Sequence, residues 1–255
     1  MSAGRLIGVG VGPGDPGHLT LKALAALQAA DRVFVPETGS TRGGAGRAEL
    51  VVAPHVAPER IARLVFAMRD EEARAGNWDR AGAAIAAVVR DGGTAAFATI
   101  GDPNLYSTFA YVAETVRGLV GDVTVETIPG ITALQDLAAR SGTVLAEGDE
   151  RLALVPWTAG EDRLREALDG FDTVVVYKGG RQLPRVLDTI RAAGRLEGSV
   201  YGEQLGLADE AVGAAADRDG SGPYMSTVIV PRRAPHARGE RLRGEPGDGG
   251  REGGR

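Results

Sequence analysis

A chain of 255 residues, 43% hydrophobic and 25% charged, is long enough to bury one large core or two modest ones, which excludes a disordered, collagen-like or disulfide-stapled chain. With no cysteine and only His18, His55 and His236, thiolate nucleophiles, iron–sulfur clusters and Cys-type zinc sites are excluded, and no metal site is expected. The net charge of −5 hides a split, because residues 232–255 hold seven arginines against four acids and leave −8 on the rest. An acidic body lacks the clustered basic face that a nucleic-acid partner requires. The apolar runs fall short of the roughly 18 residues that span a bilayer. The glycine-broken stretch Leu6–Gly12, followed by Asp15, does not read as a signal peptide. The expectation is a soluble cytoplasmic protein without a membrane partner.

In chain order, Leu6–Val11 reads as a strand, Leu19–Ala30 as a helix and Arg32–Val35 as a second strand. Glu37–Glu49, with Gly39, Gly43, Gly44 and Gly46, reads as a mobile loop. The next segment stays open. Ile61, Leu64, Val65 and Met68 fit a helical stripe, while Leu64–Phe66 fits a short buried strand. Ala81, Ala84, Ile85 and Val88 are spaced for a helix; Gly93–Ile100 is a strand. Tyr106–Arg117 is a helix on the spacing of Phe109, Val112, Ala113 and Val116, and strand Val123–Ile128 and helix Ile131–Ser141 follow. After a break near Gly148 come strand Arg151–Val155, a helix near Glu161–Leu168, strand Thr173–Val176, a helix near Leu183–Ala193, and strands Ser199–Tyr201 and Ser226–Val230. Such alternation predicts an α/β layer architecture with a largely parallel sheet, divided into domains 1–147 and 148–231. The Gly/Arg/Pro-rich tail 232–255 cannot offset its ordering entropy and is expected to be disordered; a solvated terminus is the plainer reading and an RNA-touching tail the sharper one.

The glycine-rich start, Gly8 to Gly17, closes the first strand where a dinucleotide fingerprint would lie. Gly12-x-Gly14-x-x-Gly17 satisfies G-x-G-x-x-G, and Glu37 follows the second strand where a ribose-binding acid would be expected. Pro13 and Pro16, however, remove backbone N–H donors from the turn that would cradle a pyrophosphate, and Asp15 adds a negative charge there. A tight turn and close strand–helix approach account for the glycines without a ligand. Two later loops have the same placement: Ile100-Gly101-Asp102-Pro103 before Tyr106-Ser107-Thr108, and Ile128-Pro129-Gly130-Ile131-Thr132. Since ligands of open α/β sheets bind outside the carboxyl ends of the strands, Asp102 and Thr132 are expected to face one cleft.

Together, GVGVGPGDPGHLTLKA (8–23), LVFAMRD (64–70), TIGDPNLYSTFAYV (99–112), IPGITA (128–133), VLAEGDERLALVP (144–156), VVYKGGR (175–181) and PYMSTVIV (223–230) resemble the tetrapyrrole methylases, over residues 4 to 231. The resemblance implies two α/β domains with the active site in the cleft between them, S-adenosylmethionine as methyl donor, a small-molecule tetrapyrrole substrate and a homodimer. GDPNLYST with PYMST resembles the branch that methylates the C-20 meso carbon, metal-free or cobalt-bound; other methylases of this fold act on different targets. Cofactor contacts are implied at Val11, Asp102, Leu105, Ser107, Thr108, Ile131, Thr132, Tyr177, Tyr201 or Gly202, and Met225, and substrate contacts at Gly12, Gly14, Asp15 and Arg181. Arg42, Arg47 and Arg69 are further candidates for the substrate's carboxylates. Where relatives often read Met-Lys and Tyr-Phe-Ser, this chain has Tyr177-Lys178 and Tyr224-Met225-Ser226, exchanges of one bulky wall for another. Transfer from an activated sulfonium to an electron-rich carbon needs alignment rather than a nucleophile; no catalytic residue is assigned. His18 beside the first loop reads as a surface residue at a helix start, with a general base as the sharper alternative.

Overall fold

The computed structural model describes residues 4–37, 44–66 and 71–232. Arg42, Arg69, Met68 and residues 233–255 of the basic tail lie outside the described residues. The first sheet consists of β1 (Gly4–Gly10), β2 (Arg32–Glu37), β3 (Ile61–Val65), β4 (Thr94–Thr99) and β5 (Val123–Ile128) in the order β3-β2-β4-β1-β5, with every neighbouring pair parallel. Strand alternation feeds two cores. Ile7 and Val9 of β1 face α1 (Leu21–Ala29) and α2 (Arg47–Val52) through Leu27, Val51 and Val52, while Leu6, with Phe97 of β4, faces α3 (Glu71–Arg90) and α4 (Phe109–Val120) through Ile85, Phe109 and Val116.

The second sheet has the order β6-β7-β10-β8-β9, from β6 (Leu152–Pro156), β7 (Thr173–Tyr177), β8 (Val200–Glu203), β9 (Ala211–Ala214) and β10 (Ser226–Val230). Only β6 and β7 run parallel; β10 is antiparallel to β7 and β8, and β8 to β9. The expectation of a largely parallel sheet therefore holds for the first half alone. The connections from β8 to β9 and β10 contain no crossover helix, so those strands can pair only by reversing. Val174, Val176, Val228 and Val230 face α6 (Glu161–Gly170) and α7 (Leu183–Ala192), whereas Val175 and Ile229 face α5 (Ala133–Ser141) through Leu134 and Leu137. Helix α5 precedes the expected division at Gly148, yet its apolar face lies on the second sheet.

Several boundaries differ from the sequence reading. The open segment at 61–66 is a strand, settled by parallel pairing with β2. The expected loop Glu37–Glu49 ends in the first turn of α2, which begins at Arg47 and buries Ala48, Val51 and Val52. Strand β9 has the sequence AVGA and exists through its pairing with β8. Tyr106 precedes α4 in a left-handed conformation, φ +52°. Arg232, placed at the start of the tail, is tied to Glu147 and Glu150. Among the described residues no helix is long and apolar enough to cross a membrane.

Leu137 is fully buried where α5 meets the second sheet, while Leu21 is 86% exposed. Leu137→Ala is expected to lower the unfolding free energy by about 2–5 kcal/mol, and Leu21→Ala to change it by less than about 0.5 kcal/mol; denaturant midpoints at constant slope read both.

Candidate active site at the interdomain cleft

The carboxyl ends of β1, β4 and β5 are adjacent, and their turns touch backbone to backbone. Val11, fully buried, donates its N–H to the Thr99 carbonyl (2.9 Å), and Gly101 donates to the Gly12 carbonyl (2.9 Å). A Cβ at Gly10 would lie 2.5 Å from the Gly130 nitrogen and one at Gly130 would overlap the Gly101 carbonyl, so only glycine fits where these three turns meet. Asp102 fastens them: Oδ2 accepts from the Gly130 N–H (3.1 Å) and Oδ1 from the Asn104 N–H (2.8 Å). Its carboxylate thus ties the β4 turn to the β5 turn through backbone rather than side-chain partners.

The other polar residues expected around a cofactor are also engaged within the protein. Ser107 Oγ pairs with Thr99 Oγ1 (3.0 Å) and accepts from the Phe109 N–H (3.1 Å). Thr108 is the residue before α4, half-buried. Thr132 precedes α5, and its N–H and hydroxyl both donate to Gln135 Oε1 (2.9 Å each). From the second domain, Tyr177 reaches α5, where its hydroxyl accepts from the Leu134 N–H (3.1 Å). Gly202 on β8 is covered by Leu137, whose Cδ1 would lie 2.7 Å from an added Cβ. Its neighbour Tyr201 points the other way, fully buried in the second core with its hydroxyl on Glu203 (2.6 Å). Leu105 and Ile131 are half-buried and Met225 is 42% exposed, so apolar side chains line the accessible rim.

The first glycine turn closes against the second domain. A Cβ at Gly14 would overlap the Leu205 carbonyl, and one at Gly206, φ +77°, would overlap the Asp15 nitrogen. Asp15 Oδ1 accepts from the Gly17 N–H (2.7 Å), capping the short turn Pro16–His18. His18 is not a free surface residue: its Nδ1 faces Asp136 Oδ1 of α5 at 3.8 Å. Asp136 is 4% exposed and bound by Arg140 (2.9 Å), which also holds Glu210 (2.6 Å), and Glu210 accepts from the Gly206 N–H (2.6 Å). This chain of groups from the first loop through α5 to the 204–210 turn was not foreseeable from motifs, since its members are scattered over 190 positions of sequence.

Further along the cleft, the Tyr106 hydroxyl donates to the Leu154 carbonyl (3.1 Å) and its ring packs edge-on against Tyr177 (5.7 Å between centroids). Lys178 Nζ lies 5.3 Å from the Tyr106 ring and Arg181 Cζ lies 5.7 Å from the Tyr224 ring. Burial pushes Tyr177 and Tyr201 up to about 12 and raises Tyr106 and Tyr224 above the ordinary phenol value. Arg47, expected on a loop, sits half-buried in the first turn of α2, and burial lowers its pKa against the attraction of Asp209. What this region brings together is a set of tightly packed backbone turns, the half-buried side chains of Leu105 and Ile131, and the cations Lys178 and Arg181 from the second half.

Residues 5–216 match the family described as Tetrapyrrole (Corrin/Porphyrin) Methylases. A precorrin-2 C(20)-methyltransferase from a Sinorhizobium species is 35% identical over 240 residues, 91% of this chain and 96% of that protein. A cobalt-precorrin-2 C(20)-methyltransferase from Salmonella typhimurium is 27% identical over 92% of this chain and 99% of its own length. Among solved structures, a uroporphyrin-III C-methyltransferase from Thermus thermophilus, complexed with S-adenosyl homocysteine, superposes with a TM-score of 0.62 at 22% identity, covering 89% of this chain and 97% of that one. That likeness carries the two-sheet fold.

The junction of turns makes Gly130→Ala destabilising by more than about 1 kcal/mol, while Gly118→Ala, in α4 with open space around it, is expected to be neutral or stabilising; paired thermal melts compare them. An unfolded phenol titrates near 10, whereas Tyr177 and Tyr201 do so near 12 in the fold. The unfolded chain therefore releases these protons first. Their contribution to stability is complete below pH 10 and is lost as pH rises from about 10 toward 12. Phenolate absorbance should rise in two waves, and stability should fall over the same range, less steeply in Tyr201→Phe.

Proposed function

The chain belongs to the tetrapyrrole (corrin/porphyrin) methylase family, and we propose that it transfers the methyl group of S-adenosylmethionine to C-20 of precorrin-2, giving precorrin-3A in cobalamin biosynthesis. The observation that carries this reading is the meeting of the turns after β1, β4 and β5 with one another and, across the two halves, of Tyr177 with α5 and of the first turn with the Leu205–Gly206 turn. The two relatives at 35% and 27% identity over nearly their whole lengths, named for C(20) methylation of precorrin-2 and of cobalt-precorrin-2, support the substrate class. They also keep the cobalt-bound form as the second reading.

The fit to a nucleoside methyl donor rests on turns that are set beforehand and on the half-buried apolar side chains of Leu105 and Ile131. Asp102, Ser107, Thr132 and Tyr177 are bonded to their own protein neighbours, which fixes the turns before any ligand arrives. Recognition then falls to backbone groups near Val11, Gly101 and Ile131 and to apolar contacts from Leu105, Ile131 and Met225, with Thr108 and Gly202 at the edges. S-adenosylmethionine, when bound, supplies a methyl group already activated by its sulfonium. What the chain supplies is alignment to within about 3 Å of the accepting carbon and exclusion of water. No protein nucleophile is needed for that step. We place the macrocycle against Gly12, Gly14 and Asp15 of the first turn, with Arg181 at its carboxylates. A homodimer in the cytoplasm completes the proposal.

Incubation with S-adenosylmethionine and precorrin-2, with and without cobalt, should give a product heavier by one methyl group, with the preferred form turning over faster. Calorimetry should show S-adenosylhomocysteine binding to the wild type. Asp102→Arg, which cannot accept the Gly130 and Asn104 N–H groups, should lose at least tenfold in kcat/KM. Absence of both turnover and S-adenosylhomocysteine binding overturns the proposal.

A further inference from the structure

Among the described residues, many arginines are paired with a carboxylate. Arg63 is paired with Glu49, Arg140 with Asp136 and Glu210, Arg185 with Glu161, and Arg218 with Glu203. Two cations immediately after β7 differ. Among the described residues, neither Lys178 nor Arg181 has a carboxylate partner; each lies over a tyrosine ring, Lys178 on Tyr106 (5.3 Å) and Arg181 on Tyr224 (5.7 Å). A half-buried ammonium without a counter-charge is costly unless something else holds it there. A chain with 27 arginines and two lysines has also placed one of those lysines at this position.

The backbone around the pair is held in an unfavourable state on both sides of the cleft. Lys178 has φ +62° and Tyr106 φ +52°, left-handed conformations that L residues rarely adopt. They persist because the surroundings fix them: the Tyr106 hydroxyl is anchored on Leu154 of β6, its ring rests on Tyr177, and Tyr177 is bound to α5. Both domains thus contribute to holding one ammonium at the rim of the cleft. Unlike a guanidinium, an ammonium is a compact point charge suited to a single carboxylate oxygen rather than a planar fork.

We propose that Lys178 binds one side-chain carboxylate of the tetrapyrrole, with Arg181 three residues on receiving a second, so that this pair sets the orientation of the macrocycle. The assignment rests on the methylase reading of the cleft. Burial alone holds the Lys178 ammonium below the ordinary lysine range, and an arriving carboxylate would raise it again. Lys178 is then a specificity residue that acts on binding rather than on methyl transfer.

Steady-state kinetics on precorrin-2 at saturating S-adenosylmethionine test it, with wild type, Lys178→Met, Lys178→Gln and Lys178→Arg. In both uncharged variants the KM for precorrin-2 should rise about tenfold or more, the scale of one charge-assisted hydrogen bond. Their kcat should stay within about threefold and S-adenosylhomocysteine affinity should be unchanged. Lys178→Arg, keeping the charge, should recover part of the KM. The wild-type KM should rise with salt more steeply than that of Lys178→Gln. An unchanged KM in a folded uncharged variant, or a collapse of kcat at unchanged KM, overturns the assignment while leaving the methylase reading intact; a wild type that turns over neither metal-free nor cobalt-bound precorrin-2 overturns both.

Discussion

Three chain turns meet at van der Waals limit where β1, β4 and β5 end, and they can do so because nothing larger than hydrogen projects from Gly10 or Gly130 into that junction. Asp102 turns the junction from a close approach into a fixed one, because its two oxygens bind N–H groups on two different segments. A charge-assisted bond to backbone is about twice as strong as a neutral one. The carboxylate in this way helps to set the distance between the β4 and β5 turns. The proline-rich first loop follows the same logic, since Pro13 and Pro16 stiffen a turn that has to meet the Leu205–Gly206 turn at contact distance.

Helix α5 joins the two halves. Its start is set by Thr132 at the end of the β5 turn, its apolar face lies on the second sheet, and its polar residues Asp136 and Arg140 face the first loop and the 204–210 turn. Buried charges of this kind contribute little net stability but strongly disfavour arrangements that leave one of them unpaired. The relative placement of the domains is in this way specified by charge matching as well as by apolar contact.

Much of the first sheet was legible in the sequence. Leu6–Val11 and Val123–Ile128 carry runs or alternations that a parallel sheet requires, and the stripe Phe109, Val112, Ala113, Val116 marked α4. The segment 61–66 was ambiguous because five residues suit either period, and only the neighbour β2 decides. AVGA at β9 has weak intrinsic strand preference, so its state is a property of β8 rather than of its own residues. The direction of strands in the second sheet was not readable either, since alternation is the same in both directions. At the site, the motifs located the three turns, but the resemblance and not spacing supplied the cofactor residues. The left-handed Tyr106 and Lys178 were invisible because neither is a glycine, and His18 gained a partner from a helix more than a hundred residues away.

The position of β10 has a consequence for how the chain is assembled as it is made. All five strands of the first sheet lie before residue 129, so that sheet can close early in synthesis. The second cannot. Its central place, between β7 and β8, belongs to Ser226–Val230, the last of the described strands. Until then β7 and β8 each present an unpaired edge, and Leu134 and Leu137 of α5 lack the strand they cover. The interval between Tyr201 and Val230 is thus a period of exposed edges for the nascent second sheet, and the pairing of β10 with β7 and β8 ends it.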